Sequence, residues 1–380
     1  MARAIVRLPK LRQLENIKIR NESFSLTGEA SSFVNDALRR RFCSDYDLAH
    51  TMSVPASVTI TRRAGYSMQT KITTDPIEAA AHIMRGDIVA FPTETVYGLG
   101  ANVFDAAAVA KIFKAKRRPA DNPLIAHVAS REQIDLLAAE ITESAENFIN
   151  AFFPGPLTVV VRKVEAVPLI ATAGLDTIGI RMPAFKVASE FLSACGVPVV
   201  APSANLSGRP SPTTWEAVLE DLNGRIDCIL KGEPTEIGLE SAVVDCSSEI
   251  PVLLRAGSVS LEQLREVVPG TRGISTGFGD VARSPGLLHK HYSPRAGVVL
   301  LGGDEISDQI SEQTAFIGLS KVPDGFALVK QCDSVEQYAH SLFEFFRECD
   351  RAGIAVIYCE KVQETGLGAA LMDRLRRAAE

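Results

Sequence analysis

Ile88-Val89-Ala90-Phe91-Pro92-Thr93-Glu94-Thr95-Val96-Tyr97-Gly98-Leu99-Gly100 is the stretch that decides how this chain is read. Ile88 to Phe91 has the length and apolar content of a buried strand. It runs into a turn carrying hydroxyls, one carboxylate and two glycines. Downstream, Ala106–Lys116 has a helical pattern and is followed by Arg117, Arg118 and Pro119. A second short apolar run, Leu124–Val128, carries His127. A strand end rich in donors beside convergent cations suits a small polar substrate together with a polyphosphate. The pattern points to an enzyme.

The totals agree with a globular enzyme of two domains or more: 380 residues, 46% hydrophobic and 23% charged. A net charge of −6 argues against a general nucleic-acid-coating role. The charge is uneven, because residues 1–70 hold eleven Lys/Arg against six Asp/Glu, which leaves 29 against 40 in the remainder. Seven scattered cysteines with no C-x-x-C spacing predict reduced thiols in a cytoplasmic protein and no structural zinc site. No run approaches eighteen apolar residues, so no membrane span is expected. The N-terminus is basic (Arg3, Arg7, Lys10, Arg12) but lacks the apolar core of a secretory signal, and Glu15, Glu22 and Glu29 count against a transit peptide.

Residues 1–67 show no sustained periodicity and read as an N-terminal extension or as sequence upstream of the true start. The folded region is expected to begin at Met68. Asp75-Pro76-Ile77-Glu78 is a helix start with its N-cap, proline and acidic third position, and Gly86 closes that helix. Residues 68–270 alternate short apolar runs with helical patterns, which predicts a mixed α/β catalytic domain. Residues 271–296 are rich in Gly, Ser, Pro and Arg and read as an interdomain linker ending in His289-Lys290-His291-Tyr292. Residues 297–380 alternate strand-like and helical segments, as a small doubly wound domain would.

No P-loop and no dinucleotide fingerprint is present, so nucleotide binding would have to use side-chain cations and irregular loops. Lys116, Arg118, Arg181 and Arg255 are the candidates, since arginine chelates phosphate or carboxylate oxygens and lysine supplies a point charge. The other reading of Lys116-Arg117-Arg118 is cations favoured by the helix C-terminal dipole. Ala201-Pro202-Ser203-Ala204-Asn205 through Ser211-Pro212 packs hydroxyls and an amide into a proline-braced loop, either an anion-binding surface or a capped turn into the next helix. His127 alternates with apolar neighbours, the usual setting of a satisfied core histidine. Glu94 and Glu240 are acid/base or magnesium candidates that spacing does not decide. No nucleophile–histidine–acid set can be assembled.

The ordered series Phe91 to Gly100, Lys116-x-Arg118, Asn122-Pro123-Leu124, Phe153 to Thr158, Gly179 to Pro183 and Ser203-x-Asn205 closely resembles the YrdC-like threonylcarbamoyl-AMP synthases. The resemblance extends through the linker to a C-terminal domain, over about residues 70–380. It implies an α/β fold with a twisted mixed sheet around a basic cavity, plus a small Rossmann-like C-terminal domain. It also implies an enzyme that joins L-threonine, bicarbonate and ATP, with Mg²⁺, into threonylcarbamoyl-AMP for tRNA modification. A downstream threonylcarbamoyl transferase complex would receive the product. By position, the threonine contacts implied are Thr95, His127, Arg181, Ala201 and Ser241. The nucleotide contacts implied are Lys116, Arg118, Asn122, Thr177, Ser203, Asn205, Ser211 and Arg255, with His291 and Tyr292 as the closing gate. Lys116, Arg118 and Arg181 would carry the catalysis. Arg117 stands where the family has glycine, and Ala242 where threonine is common. Two rival readings are a double-stranded RNA or tRNA contact surface, against which the acidic remainder counts, and carbamoyl transfer of the hydrogenase-maturation type, whose zinc-finger cysteine pairs are missing here.

Overall fold

The computed structural model describes residues 69–273, 292–302, 310–322 and 324–380. The extension expected over 1–67 and most of the 271–296 linker, His289 and His291 included, lie outside these residues. Eleven strands form the first sheet: β1 (Lys71–Thr73), β2 (Val89–Phe91), β3 (Gly98–Asn102), β4 (Ile125–His127), β5 (Ala138–Glu140), β6 (Leu157–Lys163), β7 (Thr177–Arg181), β8 (Val199–Ala201), β9 (Cys228–Leu230), β10 (Ala242–Asp245) and β11 (Val252–Arg255). Their order is β1-β9-β2-β3-β8-β4-β7-β6-β10-β11, with β5 paired to β6. The sheet is mixed. β4 runs parallel to β7 and antiparallel to β8, and β6 runs antiparallel to β7 and parallel to β10.

Local chemistry sets the helices. Asp75 accepts from the Ile77 amide ahead of α1 (Pro76–Met84), and Asp105 accepts from the Ala107 and Ala108 amides ahead of α2 (Ala106–Lys116). The remaining helices of this region are α3 (Arg131–Asp135), α4 (Glu143–Phe152), α5 (Lys186–Cys195), α6 (Trp215–Leu222) and α7 (Leu261–Val267). The principal core holds Tyr97, Leu99, Ile112, Phe148, Val159, Ile178 and Val244. On another face α1 and α5 pack together, with Ile83, Phe191 and Leu192 against Phe91 and Val199. Burial of each such side chain stabilises by roughly 1.5–3 kcal/mol.

A second, four-stranded parallel sheet follows, β12 (Gly297–Leu301), β13 (Thr314–Gly318), β14 (Leu328–Gln331) and β15 (Val356–Glu360), in the order β12-β15-β13-β14. Its helices are α8 (Val335–Ala352) and α9 (Leu367–Ala379). The core of this region is shared with the first, because Val96, Leu239 and Ala256 pack with Tyr338, Phe343, Phe346 and Leu371. Gly238 shows how closely the two regions meet. Its φ is +83°, and a Cβ there would stand 2.5 Å from His340 Cα and 2.7 Å from its carbonyl oxygen. Only glycine tolerates both the backbone and the approach.

Between the regions runs a buried ion network. Arg347 on α8 donates to both carboxylate oxygens of Asp221 on α6, at 3.2 and 2.9 Å. No helix among the described residues is long and apolar enough to cross a membrane. The six cysteines among the described residues are buried, unpaired thiols.

Candidate active site

Strand register builds the site. His127 pairs with Arg181 and with Val199, while Ile125 pairs with Gly179 and with Ala201. Paired residues in neighbouring strands share a face, so Ile125, His127, Arg181 and Ala201 all point the same way. That face is one wall of a cavity of about 630 Å³, measured to its open mouth. Thr93, Thr95, Arg118, Ser203, Ser211, Glu240, Ser241, Arg255 and Tyr292 supply most of the polar remainder of the wall.

The β2–β3 turn is shaped by one hydroxyl. Thr93 Oγ1 donates to the Val96 carbonyl at 2.7 Å and accepts from the Thr95 and Val96 amides. Thr95 Oγ1 is thereby turned toward Arg181, whose Nη1 donates to it at 2.8 Å. Arg181 Nε donates to the Gly155 carbonyl at 3.3 Å, and its Nη2 lies 2.7 Å from Glu94 Oε1. The guanidinium is therefore held on three sides while still lining the cavity. Thr158 Oγ1 and Ser241 Oγ are 2.8 Å apart, and Arg255 donates to Ser241 through Nε to the carbonyl and Nη2 to Oγ.

Electrostatically the wall presents three arginines, one carboxylate and a neutral imidazole. Burial, helped by the nearby Arg181 charge, pushes His127 down to about 3, so the ring is neutral at physiological pH. Its Nδ1 pairs with the Ile125 carbonyl at 3.2 Å. Burial lowers Arg118 to about 10, still fully cationic at neutral pH. Burial alone would raise the Glu240 carboxyl, but Arg374, Arg255 and the Ser211 hydroxyl outweigh it and hold the group below the ordinary range.

Four of the residues expected at the site are placed differently or lie outside view. Lys116 does not line the cavity among the described residues. Its ammonium donates to the Ser203 and Asn205 carbonyls, both at 2.6 Å, and to Asn205 Oδ1 at 3.3 Å. All three of its donors are spent on the loop behind the wall, so the point charge expected for phosphate is a loop anchor instead. Asn122 lies off the wall too; its carbonyl accepts from Arg118, and its buried side-chain amide has no hydrogen-bond partner among the described residues. Thr177 begins β7 and lines a separate, narrower pocket with Leu124, Thr158 and Val243. His291 falls outside the described residues, whereas Tyr292 stands on the wall and stacks on Phe343 at 5.5 Å. Asn205 does reach the wall, with Ser203 Oγ donating to its Oδ1 at 2.6 Å. Glu240 lines the cavity and had no decisive signal in sequence; its neighbour Ser241 was the nearest pointer.

The carboxylates do not form a metal cage. Among the described residues no group of three or more His, Cys, Asp or Glu could hold a metal ion, and Glu94 and Glu240 are each occupied by an arginine. A magnesium ion fits this donor set only as a cation carried on nucleotide phosphates.

The family model described as Telomere recombination, covering Sua5, YciO and YrdC, matches residues 81–257. The model described as Threonylcarbamoyl-AMP synthase, C-terminal domain, matches residues 259–380. A threonylcarbamoyl-AMP synthase of Pyrococcus abyssi is 45% identical, over 79% of this chain and 93% of its own length. One from Bacillus subtilis is 40% identical, over 81% of this chain and 94% of its own. The crystal structure of P. abyssi Sua5 complexed with L-threonine superposes with a TM-score of 0.76 at 44% identity, covering 82% of this chain and 97% of that one. The chain belongs to the threonylcarbamoyl-AMP synthase family, in the form that carries both domains.

Proposed function

We propose that this chain is a nucleotidyltransferase that makes threonylcarbamoyl-AMP from L-threonine, bicarbonate and ATP, releasing pyrophosphate and water. The observation that carries this reading is the convergence of Arg118, Arg181 and Arg255 with six hydroxyl-bearing wall residues, Thr93, Thr95, Ser203, Ser211, Ser241 and Tyr292, on one cavity. The neutral, backbone-bound His127 is not a base for any of those hydroxyls. The relative complexed with L-threonine supports threonine as one substrate.

Arg181 takes the threonine carboxylate, with Thr95, His127, Ala201 and Ser241 around the amino acid. The threonine amine attacks bicarbonate, a carbamate forms and water leaves. A carbamate oxygen then attacks the α-phosphorus of ATP, and the bond to the pyrophosphate oxygen breaks. Arg118, Ser203, Ser211 and Arg255 bind the nucleotide, which arrives as its magnesium complex. No protein atom bonds covalently to substrate, so positioning and charge neutralisation supply the acceleration. Tyr292, on the wall and stacked on Phe343, borders the filled site. The adenylate leaves as an activated acyl donor for a transferase that modifies tRNA, and the chain works in the cytoplasm.

The test is to incubate the purified full chain with ATP, Mg²⁺, bicarbonate and labelled threonine, following pyrophosphate and labelled adenylate by chromatography. Product that requires all three substrates supports the reading. Folded protein that binds RNA and makes no adenylate overturns it.

A further inference from the structure

We infer that Arg374, contributed by the last helix, is a positioning residue for the nucleotide, acting through Glu240 on Ser211. This rests on the proposed synthase reading and assigns the C-terminal domain a part in substrate binding at that same site.

Arg374 is completely buried, and its guanidinium reaches three separate segments of the cavity wall. Nε donates to Glu240 Oε2 at 3.0 Å, and Glu240 Oε1 accepts from Ser211 Oγ at 2.5 Å. Nη2 donates to the carbonyl of Ala256, the residue after Arg255, at 3.0 Å. The guanidinium carbon also lies 5.5 Å from the centre of the Tyr292 ring. Nη1 is taken by the neighbouring Asp373 at 2.7 Å, which fixes the plane of the fork. One side chain thus touches Glu240, the residue after Arg255 and the Tyr292 ring, and its bond to Glu240 is the one that continues to a wall hydroxyl, that of Ser211.

A second buried arginine grips the same loop. Arg347 Nη2 donates to the Pro210 carbonyl at 2.5 Å while its pair with Asp221 holds it in place. Residues 210 and 211 are therefore fixed from two C-terminal helices at once. Buried ion pairs add little net stability compared with apolar packing, so stability alone is a weak reason for this arrangement. Orientation is the stronger reason. The Glu240 carboxylate can direct the Ser211 hydroxyl only while Arg374 fixes the carboxylate. Lysine at 374 would keep the charge and lose the fork.

Arg374→Lys, Glu240→Gln, Ser211→Ala and the double variant Arg374→Lys/Ser211→Ala are compared with the full parent chain. Affinities for ATP and for threonine are measured separately by calorimetry, folding by thermal melts, and synthesis in the parent. Arg374→Lys is expected to weaken ATP binding about tenfold, as loss of a charge-assisted hydrogen bond does, with threonine affinity within about twofold of the parent. In the Ser211→Ala background the same change should add less than about a further twofold, since the relay is already cut. Glu240→Gln reads the relay from its other member if the lysine variant fails to fold. Equal losses for both substrates, or effects of Arg374→Lys and Ser211→Ala that multiply, would overturn the inference and leave Arg374 as domain glue. A parent that binds ATP but makes no adenylate would refute the synthase reading, while the ATP affinities would still decide the relay.

Discussion

Arg181 and Glu94 form a buried ion pair, Nη2 to Oε1 at 2.7 Å, behind the wall that Arg181 presents to the cavity. The pair leaves the guanidinium oriented before any substrate carboxylate arrives. Removing one partner of such a pair strands a buried charge, at a cost of about 3–5 kcal/mol. Glu94→Gln should therefore lower the melting temperature and weaken threonine far more than ATP. Calorimetry on both substrates checks this, and an unchanged threonine affinity would remove Glu94 from the account of Arg181.

Lys116 anchors the Ser203–Asn205 loop from behind. Lys116→Met is expected to lower thermal stability and ATP affinity together, because three carbonyl-type acceptors lose their donor inside the protein. Loss of activity with an unchanged melting temperature would instead mean that the ammonium reaches the phosphates directly.

Arg118 lies on the wall, with two long bonds to the Asn122 and Pro123 carbonyls among the described residues. Arg118→Ala should cut turnover by about 10²–10³-fold, the usual loss for one donor to developing charge, with the melting temperature nearly unchanged. Near-normal turnover would exclude it from the reaction.

His127 ionises at about 3 when folded and near 6.5 when unfolded, so the unfolded chain binds the proton first as pH falls. Stability attributable to this ring is complete above pH 6.5 and declines by about 1.4 kcal/mol per pH unit between 6.5 and 3. Urea titrations of the parent and His127→Gln across pH 7 to 4.5 should diverge with that slope. Selectively labelled His127 should show no ring titration between pH 8 and 5.

Arg117 adopts a left-handed conformation, φ +52°, as the cap of α2. That is where glycine carries no steric penalty, which would account physically for the glycine that the family resemblance implies there. Arg117→Gly is expected to stabilise by roughly 0.5–1 kcal/mol, seen as a rise of about 1–3 °C in melting temperature. A fall would mean that the side chain makes contacts worth more than the strain.

Elements with strong local signals were legible in the sequence. Ala106–Lys116 occurs as a helix with the bounds that its pattern implies. β3 was read as a turn, because Gly98-Leu99-Gly100 lacks branched residues. Its glycines are needed where a Cβ at residue 100 would stand 2.6 Å from Val199 Cγ1. β1 and β5, Lys71–Thr73 and Ala138–Glu140, have three residues each and lack the continuous apolar run that marked β2 and β4. At the site, Arg118, Arg181 and Arg255 were singled out as cations able to chelate anionic oxygens, and the cavity wall includes all three. Arg374 and Glu240 are 134 residues apart, and nothing local in either segment encodes their meeting. The direction of Lys116 was equally hidden, since a helix-terminal lysine can face solvent, phosphate or a neighbouring loop.

The central claim is adenylyl transfer to the carbamate of threonine, and the position of a phosphorus label tests it most directly. The full chain is incubated with threonine, bicarbonate, Mg²⁺ and ATP carrying ³²P at the α- or the γ-phosphate. Label from the α-position should move into a threonine-containing product, and label from the γ-position should leave in pyrophosphate. Release of γ-label as inorganic phosphate, with α-label remaining in ADP, would contradict it.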